Sequence, residues 1–381
     1  MSETENGYFM NIAPEPASGT GFFRLVAELD GERLLRVDPH IGFSHRGIEK
    51  IMENRSVLQG LVYADKLCRE IPFCDVYPYV LAVERLAGID VPERAGVLRA
   101  MLAETARVSA HIRTIGRLLR DTGNRLGPSI AEKACSRIDA LISAALASPA
   151  ATYFRPGGVA GDIDENAGEM FDDWAKNAVP PVLKELKKLT ENPVFRSRVE
   201  GCGVIGREEA QTAGLTGITA RAAGEYRDVR KTNPYDAYDS LDFSVPVGRD
   251  GDAMTRCLLR FDEIRQSLAI VRQTVALLKT KKGAVSAFGR SGDKMLSDWS
   301  DRYSAGLVLP DGEVYAPVET PVGETGCFLV GNGTEKPYRC HFRSACFPVL
   351  QLLPDLLKGL ELADVEPVIG SLGLIMTEAD R

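Results

Sequence analysis

No run of apolar residues in this sequence approaches the ~20 needed to cross a bilayer as a helix, so any membrane association is expected to run through a partner. Among its eight cysteines, at 68, 74, 135, 202, 257, 327, 340 and 346, no two form Cys-x-x-Cys. Its four histidines, His40, His45, His111 and His341, make neither His-x-x-x-His nor His-Glu-x-x-His, which removes the usual zinc spacings. Lys and Arg are spread rather than clustered and the formal net charge is −7, which leaves no basic patch for nucleic acid. Met1 to Asn6 is polar and acidic with no apolar h-region, so no signal peptide is expected. Ser–His–Asp and P-loop patterns, internal repeats and low-complexity tracts are all missing.

What is present is a long, core-forming chain. It has 381 residues, 44% of them apolar. That is too much core for a disulfide scaffold, and reduced cytosolic thiols are expected. Phe22–Leu29 reads as a strand, Asp30-Gly31 as a hairpin signal and Arg33–Val37 as the returning strand. The preceding stretch, Ala13 to Gly21, is a loop by composition. A helix is predicted from Pro92 to Arg120, where Leu98, Met101, Leu102, Val108, Ile112, Ile115 and Leu119 recur at three- and four-residue steps. Further helices are predicted over 48–66, 129–147, 167–191, 252–279 and 348–360, and a three-strand meander over 312–319, 325–330 and 338–343. Residues 280–294 read as a mobile loop. The expected division is a β hairpin and loop at 1–46, a helical core at 47–310, and a meander with a closing helix at 311–381. The fold class is α+β, mainly α.

Candidate chemistry is thin. Gly201-Cys-Gly-Val-Ile-Gly206 matches G-x-G-x-x-G, with Glu225 where a ribose-binding acid would lie. The charged residues before it make a poor buried strand, and a tight turn is the expected reading. His111 sits one step from the apolar stripe and reads as a hydrogen-bonded interior residue. Cys68 and Cys74 read as free thiols rather than a metal pair. Asp236, Asp239, Asp242, Asp250 and Asp252 lack the spacing of a calcium loop, and with Arg249, Arg256 and Arg260 nearby they suggest an ion-pair network.

One stretch is more specific. Asp38-Pro-His-Ile-Gly-Phe-Ser-His-Arg-Gly-Ile-Glu-Lys50, Asp65-Lys-Leu67 and Leu81-Ala-Val-Glu84 resemble the D-type subunit of respiratory NADH:quinone oxidoreductase (complex I), a relative of the nickel–iron hydrogenase large subunit. The resemblance resumes at Gly88–Arg94, Tyr153–Gly158, Asp228 to Asp252 and Gly312–Tyr315, and closes at Ile369–Leu372 and Asp380-Arg381. It implies a hydrogenase-like helical core with small flanking β elements. It also implies a place in the peripheral arm, at the cytoplasmic face of a bacterial inner membrane. The implied partners are peripheral-arm subunits of the B, C and I types and the membrane-arm subunit of the H type. In that family, quinone is the substrate and binds between this type of subunit and a neighbour that carries the terminal iron–sulfur cluster. The resemblance implies that the chain binds no cofactor or metal itself. The hydrogenase Cys-x-x-Cys pairs are absent; only Cys68 falls near such a ligand position.

The chain departs from that family where quinone chemistry occurs. Pro16 and Thr20 occupy the two histidine positions of the N-terminal loop. Cys68 and Arg69 stand where the family has Asp-Tyr, so Arg69 replaces the phenol. Asp298-Trp299 replaces a His-His pair. The aspartate that partners the first histidine survives as Asp121. Proline holds no proton to give, and arginine effectively never gives one up. Arg69 either hydrogen-bonds a quinone carbonyl and stabilises its reduced anion, or pairs with Asp121 or Glu70 and fills the space. The resemblance thus names Asp121 and Arg69 as catalytic candidates. Pro16, Thr20, Cys68 and Arg69 become quinone-binding candidates, and His45 and Arg46 are expected near the iron–sulfur neighbour. The other readings are a non-catalytic structural or accessory paralogue, and a subunit of a hydrogenase-related membrane complex with another acceptor.

Overall fold

The computed structural model describes residues 8–12, 21–68, 70–146, 150–288 and 306–381. Two long helices packed along one another form its spine: α4 (Glu93–Asp121) and the helix Ala253–Thr280. All seven stripe residues predicted for α4 are buried, none more than 1% exposed. The spacing therefore places a complete apolar face against the helix Ala253–Thr280 and α5 (Leu126–Ala145). Asp252 caps the second spine helix by accepting from Thr255 N at 2.7 Å, which satisfies one of its otherwise orphaned donors.

Two predicted helices are broken for identifiable reasons. The 48–66 prediction resolves into α1 (Ile48–Met52) and α2 (Val57–Ala64). Ser56 accepts from Gln59 N while the Gln59 side chain accepts from Ser56 N, a reciprocal cap that starts a new helix. The 167–191 prediction becomes α6 (Glu165–Asp173), a π turn at Trp174–Ala178 and α7 (Val179–Thr190). Pro180 and Pro181 have no N–H to donate, and the backbone widens just before them. Several helices are present without having been expected, the longest of them α3 (Val76–Ala87), whose valines, tyrosines and Pro78 look unhelical. Pro78 lies in the first turn, where no donor is needed, and the helix is buried from Val76 to Glu84.

Three small sheets flank this core. Strands β1 (Tyr8–Ile12), β2 (Arg24–Asp30) and β3 (Arg33–His40) form an antiparallel meander, in which β1 adds an outer strand to the expected hairpin. β4 (Phe154–Arg155) pairs with β5 (Gly158–Val159). β6 (Gly312–Thr320), β7 (Gly323–Gly331) and β8 (Arg339–Arg343) form the predicted meander. The helix Cys346–Leu357 packs on β3, and the helix Val365–Leu372 packs on both spine helices. One connected cluster of buried apolar residues reaches from Phe23 to Ala379. The fold is α+β, mainly α, as the sequence implied. The described part of the predicted mobile loop is tied down: Val159 N and Ala287 N donate to Val285 O and Gly157 O. The rest of that loop, 289–294, lies outside the described residues. No helix among the described residues is long and apolar enough to cross a membrane.

Candidate functional site

Asp121 ends α4 and its side chain is fully buried. Oδ1 accepts from Arg120 Nε and Nη2, each at 3.2 Å. Oδ2 has no hydrogen-bond partner and lies against Gly370, where a Cβ would collide with it. Burial pushes this carboxyl up to about 6, against the downward pull of Arg120.

Gly370 belongs to a C-terminal segment that carries no functional signal in sequence. The segment leaves the helix Val365–Leu372 through left-handed Gly373 and continues as Leu374, Ile375 and the short helix Met376–Ala379. Gly370, Gly373 and Ile375 wall a crevice with Glu70, His111 and Arg117. Its volume is about 20 Å³, room for one water and not for a ring. Glu70 accepts from Arg117 Nη2 at 2.8 Å. Beyond the crevice, Gly21 packs on Met376, with only 3.1 Å between the Met376 Cβ and the place a Gly21 Cβ would occupy.

The same segment holds the opening motif. The Asp380 carboxylate accepts from Gly42 N at 2.9 Å and Ser44 N at 2.8 Å. The Asp380 carbonyl accepts from His45 Nδ1 at 2.9 Å. Arg46 donates to Ser44 O at 3.2 Å and is exposed. Arg381 reaches Glu49 at 3.6 Å. Cys68 is buried beside Cys74 and Asp75. Residues 370–381 thus seal Asp121 at one end and anchor His45, with Arg46 after it, at the other. Pro16, Thr20, Arg69, Asp298 and Trp299 lie outside the described residues.

A buried polar chain leads inward from the crevice. His111 Nε2 meets Glu263 at 2.9 Å, as an interior histidine was expected to find a partner. Glu263 also accepts from Arg221, which donates to Glu319 at 2.7 Å. Arg230 joins Asp228 at 2.6 Å and Glu104 at 3.0 Å, and Glu104 accepts from Tyr238 and Ser267. Burial lowers His111 to about 4, so it is neutral at pH 7. Against the upward push of burial, the adjacent guanidinium of Arg221 holds Glu263 well below the carboxylate range.

Other sequence candidates resolve as structure. Gly201 and Gly203 have positive φ and make the expected turn; Glu225 pairs with Arg207. The expected network among the five aspartates and Arg249, Arg256 and Arg260 does not form among the described residues. Asp236 accepts from Tyr77 and lies 3.5 Å from Arg99, and Asp252 is a cap. Arg256 instead donates to Ser371 Oγ and Gly251 O, and Arg260 to Arg256 O. Proximity in sequence failed here because the helix Ala253–Thr280 turns these arginines inward, toward the helix Val365–Leu372.

Comparison with known proteins gives this arrangement its class. The family described as "Respiratory-chain NADH dehydrogenase, 49 Kd subunit" matches residues 133–381, and the chain belongs to it. Its relatives include proteins named as the D subunit of NADH-quinone oxidoreductase. The one from Ruegeria sp. (strain TM1040) is 38% identical over 384 residues, 98% of this chain and 95% of its own. That from Chelativorans sp. (strain BNC1) is 38% identical over 401 residues, 100% of each chain. That from Caulobacter vibrioides is 37% identical over 389 residues, 98% of this chain and 96% of its own.

Proposed function

We propose that the chain works as the D-type subunit of a complex I-type NADH:quinone oxidoreductase and forms one wall of the site where quinone is reduced. The observation that carries this reading is the buried Asp121 carboxyl: one oxygen unpartnered, an ionisation near 6, and a position against Gly370, which walls a crevice bounded by five separate stretches of the chain.

Reducing a quinone takes two electrons and two protons. With electrons supplied from the iron–sulfur cluster of a neighbouring subunit, this chain contributes proton handling and charge. A carboxyl balanced near 6 can hold a proton and release it close to neutral pH. Arg117 and Arg120, one turn apart near the C-terminal end of α4, favour negative charge developing on a bound ring. Arg69 is assigned the remaining carbonyl contact, in place of the phenol of the family. The enclosed crevice is water-sized, so the ring must sit in space that a neighbouring subunit completes. The exposed Arg46, beside the Asp380-anchored His45, is assigned to that neighbour's face. The buried chain from His111 to Glu104 offers a set of charges through which a change at the crevice can be felt along both spine helices. Such a route toward the membrane arm is part of the same proposal.

A second reading, a scaffolding paralogue without quinone chemistry, draws support from the small crevice and from the loss of both usual proton donors. One experiment separates them. Asp121→Ala and Arg69→Ala are introduced into the assembled complex, and quinone reductase turnover and inhibition by a quinone analogue are measured. The catalytic reading expects turnover to fall with assembly preserved. Unchanged turnover overturns the site assignment and leaves the scaffold.

A further inference from the structure

In the turn that ends at Asp75, Cys68, which the resemblance set among the quinone-binding candidates, meets two groups that the quinone reading does not use, Cys74 and Asp75. Five residues separate Cys68 from Cys74. Phe73, with a positive φ of 67°, reverses the chain, and its ring stacks on Phe154 at 4.3 Å. The result places the thiols of Cys68 and Cys74 and a carboxylate oxygen of Asp75 all within 4.8 Å of one another. Each of the three residues is at most 5% exposed. Asp75 Oδ2 has no hydrogen-bond partner, and among the described residues no Lys or Arg comes within ion-pair distance of it. A buried carboxylate in that condition costs several kcal/mol unless it is protonated or neutralised by a cation. Glu378 accepts from Ala345 N at 2.8 Å and Cys346 Sγ at 3.3 Å, behind the three.

We propose that Cys68, Cys74 and Asp75 bind a thiophilic divalent cation of the zinc class, with Glu378 and Cys346 as its outer shell. A tetrahedral zinc with Zn–S near 2.3 Å sets its sulfur ligands roughly 3.8 Å apart, so the present spacing needs only small side-chain rotations. The carboxylate, invisible in any cysteine spacing, is what turns the two expected free thiols into a ligand set. Two thiolates and a carboxylate leave a fourth position for water or for a rotated Glu378. Binding displaces the proton of each thiol, the Asp75 carboxylate supplies the third ligand, and no electron moves. The ion would fix the turn that presents Glu70 to the crevice and tie it to the C-terminal segment. The inference stands whether or not the crevice serves quinone.

The test uses the full-length chain, purified without chelator. Elemental analysis is expected to find about one zinc per chain. Cys68→Ser, Cys74→Ser and Asp75→Asn should each lose it, and Cys135→Ser should keep it. Glu378→Gln should weaken zinc roughly 10–100-fold. Cobalt(II) added to the metal-free wild-type chain should give thiolate charge-transfer absorption and the visible bands of a tetrahedral ion. That readout holds even where a variant does not fold. Zinc content equal in wild type and all three variants overturns the proposal. So does a Cys68–Cys74 disulfide in the protein as isolated, or a cobalt spectrum without thiolate bands.

Discussion

Replacing Asp121 with Asn should make this chain more stable at neutral pH, although the proposed function needs the acid. The carboxyl ionises at 3.8 when unfolded and at about 6 in the fold, displaced by burial. Between those values the folded state holds the proton more tightly than the unfolded state does. The contribution is therefore fully present below 3.8 and is lost as pH rises through about 6. At about 1.4 kcal/mol per pH unit, the loss amounts to ~3 kcal/mol at pH 7. Asn cannot ionise, keeps an acceptor for Arg120 and matches the shape beside Gly370. Its melting temperature should exceed that of the wild type by roughly 4 °C at pH 7, using ~2.1 cal/mol/K per residue for a chain of this length.

The assay is thermal or urea unfolding of the purified chain from pH 4 to 8, wild type beside Asp121→Asn. The two should coincide near pH 4, separate through pH 5 to 6 and run parallel above pH 7. A difference that does not change with pH would refute the reasoning, since only the titration of one buried carboxyl generates the slope. In the assembled complex the same variant should lose turnover. Gain in stability with loss of activity is the signature of a group held in an unfavourable state for use.

Gly370→Ala should destabilise the chain by about 1–3 kcal/mol, measured by urea unfolding, because a Cβ there meets Asp121 Oδ2. Glu263→Gln removes the carboxylate that Arg221 and His111 share and should cost about 3–5 kcal/mol in the same measurement; a change below about 1 kcal/mol would show that the buried chain is not ionised as drawn. Asp380→Ala frees the amides of Gly42 and Ser44. It should raise hydrogen exchange across residues 42–46 without altering the exchange of α4, and should weaken recovery of the iron–sulfur partner on co-purification.

The sequence was informative wherever one helix or hairpin carries its own pattern. The apolar steps of α4 and the turn signals of the late meander need only local chemistry, and they are seen where expected. It was uninformative where the deciding contact is remote. Nothing near Asp121 in sequence announces that Gly370 will seal it, and nothing near Gly42 points to Asp380, 338 residues away. The failed aspartate–arginine network has the same origin. Charge spacing along the chain cannot say which way the helix Ala253–Thr280 is rotated, and the rotation turns Arg256 and Arg260 toward Ser371 and the backbone. The one available signal was the cluster of family-matching residues at the C-terminus, which marks family identity without showing that it walls the site.

The substituted positions and the ionisation of Asp121 bear on one another. On the proposed reading, proline and arginine stand where the family has an imidazole and a phenol, and a reduced ring would lack those two donors. His111 does not replace them: burial keeps it neutral down to about 4, and Nε2 is committed to Glu263. Glu70 is committed to Arg117. Asp121 lies behind the Gly370 wall of the crevice, burial raises it to about 6, and its unpartnered oxygen faces that glycine. One carboxyl holds one proton. If it serves both protonations, it must be refilled between them, and the refilling step makes turnover depend on solvent proton supply at a rate set near pH 6. Turnover should therefore fall as pH rises through about 6, and that fall should flatten in Asp121→Asn together with the loss of rate. A pH profile left unchanged by Asp121→Asn would mean that another group supplies the protons.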